Sequence, residues 1–297
     1  MKPIWESWFC HIDVTSRCPM SCLYCSRYNR HLRKDQKCDM PLAIIEKSLD
    51  SLREWPAKIG IMGGEPILHN QFQEMCSLIQ SKFPREKMGL WTSGGPNWAK
   101  YEPLAQQTFG FIAYNEHNPI QQAMCRHQRL TVAVKDVVKD TEYMNELIDD
   151  CWVQRIWCPT ITSKGGFFCE IAAAQDWLWD GPGGYEIEQH WWKKAPNQFK
   201  DQVDRYCKNC GMCVPMERDL LGDGVEKMSP SVYKKMCTYR NANIEIGKNV
   251  EIFDKQLSID EIETKKLSWY PGNYRGDHAE DGSNSEGMGS TKFRVKV

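Results

Sequence analysis

The run Thr15-Ser-Arg-Cys-Pro-Met-Ser-Cys-Leu-Tyr-Cys25 sets Cys18, Cys22 and Cys25 in a C-x3-C-x2-C spacing. Three thiolates on one short loop can hold three irons of a [4Fe–4S] cube and leave the fourth iron open, whereas the usual low-potential cluster takes four cysteines. An iron without a protein ligand is a place for a small molecule to bind. The preceding stretch, Phe9 to Thr15, reads as a strand. A zinc loop is the competing reading, but zinc ligands usually come as two C-x2-C pairs. No partner pair lies within a finger-sized distance of this loop.

Outward from that loop the chain alternates strand and helix patterns. Leu42, Ile45, Leu49 and Leu52 give Pro41 to Trp55 a helical period, and Phe72, Met75, Leu78 and Ile79 do the same for Gln71 to Phe83. Between these helices, Lys58 to Gly64 is a short apolar strand running into Gly63-Gly64-Glu65-Pro66. Glycine serves where backbone must approach a ligand closely or take positive φ. The carboxyl end of a parallel strand is where α/β folds bind ligands. Further strands are expected at Lys87–Gly94, Gly110–Glu116, Arg129–Asp136 and Trp152–Trp157, with a helix at Thr141–Asp150. Strands separated by helices imply a parallel α/β sheet.

The cysteine loop, with the aromatic Tyr24 before its third cysteine, resembles that of the radical S-adenosylmethionine (SAM) enzymes. Gly63-Gly64-Glu65-Pro66 resembles the family's GGEP element, and Thr92-Ser93-Gly94 is similar to its TNG turn, with Ser93 where the family has Asn. The resemblance implies a partial (βα)6 barrel over residues 1–150. It implies a SAM-binding cluster on Cys18, Cys22 and Cys25. Tyr24, Gly63, Gly64, Glu65 and Pro66 are then expected beside SAM, the last four at its methionine end, and Ser93 near its ribose. Tyr114, Asn115 and Lys135, at the ends of the later strands, are candidates to face cofactor or substrate. Glu116, His117, Lys135 and Glu170 are candidate general bases, and Cys125 a candidate hydrogen donor.

A second group of cysteines follows: Cys151, Cys158, Cys169, Cys207, Cys210, Cys213 and Cys237. Cys207 to Cys213 is C-x2-C-x2-C, and Cys158 to Cys169 reads as a hairpin turning at Gly165-Gly166. Residues 151–240 thus resemble a small cysteine-rich SPASM or twitch module, which implies an auxiliary [4Fe–4S] cluster. Seven cysteines fall short of the eight that two full cubes need, so one cluster is expected. Cys158, Cys169, Cys207 and Cys210 are the first-choice ligands, Cys151 and Cys213 substitutes, and Cys237 a weaker candidate. Structural zinc is the alternative. Cys10, Cys38, Cys76 and Cys125 stand apart and are expected to pack as small hydrophobes.

Residues 241–297 are a polar extension with a helix expected at Ser258–Lys266, a flexible stretch at Gly276–Ser290, and an alternating end at Ser290–Val297. Net charge is −1, so no global electrostatic footprint for nucleic acid exists. No apolar run approaches a membrane span, and no signal core opens the chain, so a cytoplasmic location is expected. Fourteen cysteines in such a chain point to metal rather than to a disulfide scaffold. With few residues ahead of Cys18, no leader-peptide domain is expected there. That favours a small-molecule substrate, such as a sugar, aminocyclitol or nucleotide, undergoing oxidation or epimerisation. An electron donor of the flavodoxin or ferredoxin kind is the expected partner. An isomerase acting on a modified nucleobase or DNA, supported by Trp191-Trp-Lys-Lys194, and a peptide or protein modifier are the alternatives. A non-enzymatic iron–sulfur or zinc protein is a further one.

Overall fold

The computed structural model describes residues 1–114, 126–220, 224–241 and 244–269. Alternation makes the first strand, β1 (Phe9–Thr15). Cys10, Ile12 and Val14 are fully buried on one face, while Phe9, His11, Asp13 and Thr15 share the other. Next come α1 (Leu42–Ser51), β2 (Lys58–Gly63), α2 (Phe72–Lys82), β3 (Met88–Thr92), α3 (Trp98–Thr108) and β4 (Phe111–Tyr114). Ile45 and Leu49 on α1, and Phe72, Met75, Cys76 and Ile79 on α2, form the buried stripes that their spacing requires.

A two-residue strand, β5 (Arg126–His127), precedes α4 (Val134–Val137), α5 (Thr141–Asp149) and α6 (Val153–Ile156). The chain then returns to the sheet as β6 (Trp157–Thr162) and β7 (Gly165–Phe167), followed by α7 (Glu170–Leu178). The main sheet has the order β4-β3-β2-β1-β6-β7. β1 pairs in parallel with both β2 and β6, and only β7 is antiparallel. This is a mostly parallel α/β sheet with β1 in its interior, so the loop leaving β1 lies at the middle of the sheet's carboxyl edge. Residue 150 is therefore not a break in the sheet, because residues 157–167 extend it.

Two expected strands differ from what forms. Arg129–Asp136 is not a sheet strand: it is a turn leading into α4. Its backbone groups bond elsewhere, Val134 N to Cys210 O at 3.2 Å, and Leu130 O accepting from Gly211 N at 3.0 Å. Val132, Val134 and Val137 bury against Cys213, Val214 and Met216. A short apolar run fits a buried strand and a buried turn equally well, and packing against the cysteine segment decides it. Trp152–Trp157 is mostly α6, and the strand begins at Trp157. The hairpin forms, but turns at Ser163-Lys164. Gly165 and Gly166 lie on β7, where a Cβ at Gly166 would stand 2.5 Å from the ring of Trp191.

The rest of the chain adds α8 (Lys200–Tyr206), β8 (Asp219–Leu220), β9 (Glu226–Met228), α9 (Pro230–Thr238), β10 (Val250–Ile252) and α10 (Ile259–Trp269). β8 pairs with β5, and β10 with β9, outside the main sheet. The expectations for Gly276–Ser290 and Ser290–Val297 lie outside the described residues. No helix among the described residues is long and apolar enough to cross a membrane.

Candidate active site

The loop after β1 is fastened at its root. Thr15 Oγ1 donates to Asp39 Oδ1 at 2.6 Å, Arg17 pairs with Asp39 Oδ2 at 2.9 Å, and Ser16 N donates to Cys38 O at 2.9 Å. Cys18, Cys22 and Cys25 follow within one loop, each partly exposed. Burial, and then the neighbouring Cys25, push the Cys18 thiol up to about 12. Burial also raises Cys25, while the backbone amides of Asn29 and Arg27 pull the other way by donating toward its sulfur. Amides aimed at a sulfur stabilise a thiolate once a metal has displaced its proton.

Gly63 and Gly64 seat β2's turn against this loop. Gly64 N donates to Thr15 O at 2.7 Å, and Glu65 N to Arg17 O at 2.8 Å. A Cβ on Gly63 would collide with the carbonyl oxygen of Thr15, and one on Gly64 with that of Arg17, and Gly63 also holds φ +134°. Both glycines are therefore required for close backbone approach. Pro66 opens the short 3-10 turn Pro66–Leu68 beyond them.

Glu65 is fully buried and meets Ser93 directly. It accepts from Thr92 Oγ1 at 2.6 Å, from Ser93 N at 2.7 Å, from the Ser93 hydroxyl, and at 3.5 Å from Ile67 N. A carboxylate offers about four lone-pair positions. These donors occupy them, so the Glu65 side chain braces the ends of β2 and β3 together. Tyr114, at the end of β4, lies against Gly94 of the turn after β3, and its ring meets that of Trp98 at 5.2 Å, tilted by 52°.

Three thiols at the carboxyl end of β1, with a glycine turn beside them on β2, are now placed on one edge of a parallel sheet. The fold that carries them is a mostly parallel α/β sheet. Two solved structures are similar to it. One is BtrN in complex with AdoMet and 2-DOIA, at 16% identity over 69% of this chain and 92% of that one, with a TM-score of 0.47. The other is selenomethionine BtrN in an open conformation, at 15% identity over 73% of this chain and 91% of that one, with a TM-score of 0.43. No protein-family model and no curated protein matches the chain.

Beside the cysteine loop lies a buried charge cluster that the motifs do not announce. Arg27 Nε donates to Asp13 Oδ2 at 3.0 Å, its Nη1 to Glu170 Oε2 at 2.6 Å, and its Nη2 to Met62 Sδ at 3.1 Å. His11 Nδ1 stands 3.4 Å from the same Glu170 oxygen. Burial alone would raise Glu170, but Arg27 and His11 hold it below the usual carboxylate range. His11 and Asp13 come from the polar face of β1, and Glu170 from the first turn of α7. A cleft beside them is lined by Asp13, Thr15, Arg27, Asn29, Thr162 and Trp177. Of the candidate bases, Glu170 is here. Lys135 lies on α4 and donates to Asn209 at 2.7 Å. Asn115, Glu116, His117 and Cys125 lie outside the described residues. The available signal for the missed residues was the ionisable pair His11 and Asp13 in an otherwise apolar strand.

The second cysteine group gathers around one cavity, lined by Cys151, Cys169, Cys207, Cys210 and Cys213 together with Met1, Phe168 and Tyr206. Burial raises the Cys207 thiol, and Cys169, Cys151, Cys210 and Cys213 each raise it further, so all five sulfurs share one electrostatic neighbourhood. Among the described residues no three Cys, His, Asp or Glu side chains converge tightly enough to share a single ion. Cys158 belongs to β6, and its side chain lies outside the described residues. Cys237 is exposed on α9 and does not line the cavity. Tyr28, three residues past Cys25 and 1% exposed, connects the two groups. Burial raises its hydroxyl, and Cys210 and Cys169 act on it from the far side.

Tyr24 points away from the glycine turn. Its hydroxyl donates to Asp219 and accepts from Lys227 N at 2.8 Å, and Tyr24 itself holds φ +50°. Arg129 grips the same Asp219 with Nε at 2.9 Å and Nη2 at 2.5 Å. Tyr24 thus ties the cysteine loop to Asp219 and Lys227.

Proposed function

We propose that the chain is a radical SAM enzyme acting on a small, hydroxylated substrate. The observation that carries this reading is the loop of Cys18, Cys22 and Cys25 held over the buried Asp13–Arg27–Glu170 cluster and its cleft. The donor set fits a [4Fe–4S] cube with one open iron. Such a cluster, when bound, supplies the single electron that splits SAM into methionine and a 5′-deoxyadenosyl radical. Because the Glu65 carboxylate is already committed to Thr92 and Ser93, the backbone edge of Gly63–Gly64 receives the methionyl end. Ser93 holds the turn beside the ribose.

In the cleft, Thr15, Asn29 and Thr162 offer neutral donors and acceptors to substrate hydroxyls, and Trp177 offers an apolar face. Glu170 is the general base of choice. Arg27 keeps it ionised at neutral pH, and His11 is positioned beside it to exchange a proton. The second donor set fits an auxiliary cluster on four of Cys151, Cys169, Cys207, Cys210 and Cys213. A cluster held there would supply a one-electron acceptor, which supports a net oxidation.

The test is anaerobic iron and sulfide analysis with a 5′-deoxyadenosine assay under dithionite. The wild type should hold about eight irons, two cubes' worth, and the Cys18/Cys22/Cys25→Ala variant about four. The wild type should release 5′-deoxyadenosine and the variant none. Cleavage that survives in the variant would end this reading.

A further inference from the structure

Most polar side chains that line the cleft beside Arg27 already hold protein partners. Thr15 Oγ1 donates to Asp39 and accepts from Arg17 N at 3.0 Å. Ser16 Oγ donates to Gln36 O at 2.6 Å and accepts from Cys38 N at 2.8 Å. Thr162 Oγ1 accepts from Lys164 N at 3.1 Å. Asn29 differs. It lines the same cleft and is 5% exposed, and its Oδ1 is buried without a hydrogen-bond partner. A buried acceptor left unmet is destabilising, and a ligand that donates to it removes that penalty. Asn29 is also held from behind. Its backbone amide is aimed at the Cys25 sulfur, and its Nδ2 lies 3.2 Å from where a Cβ on Gly64 would stand. The residue thus stands between the cysteine loop, the glycine turn and the cleft.

The cleft is short of positive charge. Arg27 is the one cation among the described residues lining it, and it is shared between Asp13 and Glu170. With His11 neutral, two carboxylates face one guanidinium. Arg27 Nε stands 3.3 Å from Asp13 Oδ1 and 3.0 Å from Oδ2, and Nη2 stands 3.1 Å from Oδ1. A carboxylate has about four lone-pair positions, so about one stays open, on Oδ2. The space is small, about 40 Å³. At about 10–15 Å³ for each water-sized group it admits about three, which suits one functional group rather than a whole sugar.

We propose that Asn29 and Asp13 form a subsite for a protonated amine on the substrate, with Asn29 the residue that sets this specificity. The proposal rests on the reading that this cleft receives the substrate. An ammonium is compact, donates three hydrogen bonds and accepts none. One N–H meets Asn29 Oδ1, another meets the open position on Asp13, and the charge balances the second carboxylate. A hydroxyl supplies the hydrogen bond without the charge.

The experiment titrates the reconstituted full chain with glucosamine, glucose and N-acetylglucosamine by calorimetry at neutral pH. Glucosamine should bind on the order of tenfold more tightly than glucose, because charge-assisted hydrogen bonds are the stronger kind. N-acetylglucosamine, whose nitrogen carries no charge, should lose that advantage. Asn29→Leu keeps the backbone amide at Cys25, so it should retain its iron and lose the preference. Asn29→Asp should bind glucosamine more tightly than the wild type does. Equal wild-type affinity for the three sugars would show that a protonated His11 supplies the missing charge, and would overturn the amine subsite. A preference that survives in Asn29→Leu would overturn the assignment to Asn29. If Asn29→Leu loses its iron, Asn29→Asp carries the test, and an unchanged glucosamine affinity there would overturn the same assignment. A wild type that prefers glucosamine yet releases no 5′-deoxyadenosine would overturn the radical enzyme reading instead.

Discussion

At the scale of single residues, Arg27 shows what the motifs leave out. It lies two positions after Cys25 yet belongs to a different system, a buried cation between the buried Glu170 and the partly buried Asp13. Removing one member of such a set leaves the others uncompensated, which costs about 3–5 kcal/mol. Arg27→Leu should therefore lose that much stability in a urea titration, far more than an exposed arginine would. The glycine turn was legible because close backbone approach demands one residue type at one spacing, and the three cysteines because they fall on one short loop. Arg27, Asp13 and Glu170 were not, because their meeting depends on how β1, the loop and α7 close together. Glu65 was expected to contact a cofactor, and its oxygens are spent on Thr92 and Ser93. Cys76 illustrates the packing cysteines. Burial raises its thiol from 9.0 to about 12, against a hydrogen bond with Thr108. The folded state holds this proton to higher pH than the unfolded state does, so its contribution is full below pH 9 and is lost as pH rises toward about 12. Alkaline unfolding monitored by circular dichroism should fall less steeply over that window in Cys76→Ala than in the wild type.

At the scale of elements, the β6–β7 hairpin matters most. Its sequence signal, two cysteines flanking a Gly-Gly pair, located the element but misread the turn. Gly166 serves the approach of Trp191 rather than chain reversal. Overfilling that contact costs typically 1–3 kcal/mol. Gly166→Ala should lower the thermal midpoint and loosen Trp191, which intrinsic fluorescence would register as a shift toward longer wavelength. Unchanged emission and midpoint would mean the ring yields without cost. The run at residues 129–136 failed as a strand for a related reason. Its apolar residues were recognised, but the partner that covers them is the turn at Cys210–Cys213, some eighty positions away in the chain.

At the scale of the whole molecule, Asp219 and Glu226 clamp the first cysteine loop. Tyr24 and Arg129 meet on Asp219, and His31 meets Glu226 at 2.8 Å with both side chains buried. Burial would raise Asp219, but Arg129 and Tyr24 hold it below the usual carboxylate range. Asp219→Ala strands Arg129 and Tyr24, and by the same reasoning should cost about 2–5 kcal/mol. Its sharper mark should be selective: on exposure to a chelator, iron should leave the Cys18 loop faster than in the wild type while the other thiol group keeps its metal. Equal loss from both sites would show that the clamp supports the whole fold instead.

The position of β1 between β2 and β6 also sets a schedule. As the chain is made, β1 can pair with β2 once residue 63 has emerged, but its other edge stays open until residue 162 arrives. Glu170 and Asp219 come later still, so Arg27 and Tyr24 wait without partners. During that interval the three thiols belong to a half-built protein, loosely held and open to solvent. On the proposed reading, iron delivered then would meet a pliable loop, and iron delivered afterwards would have to enter one already tied down from two sides.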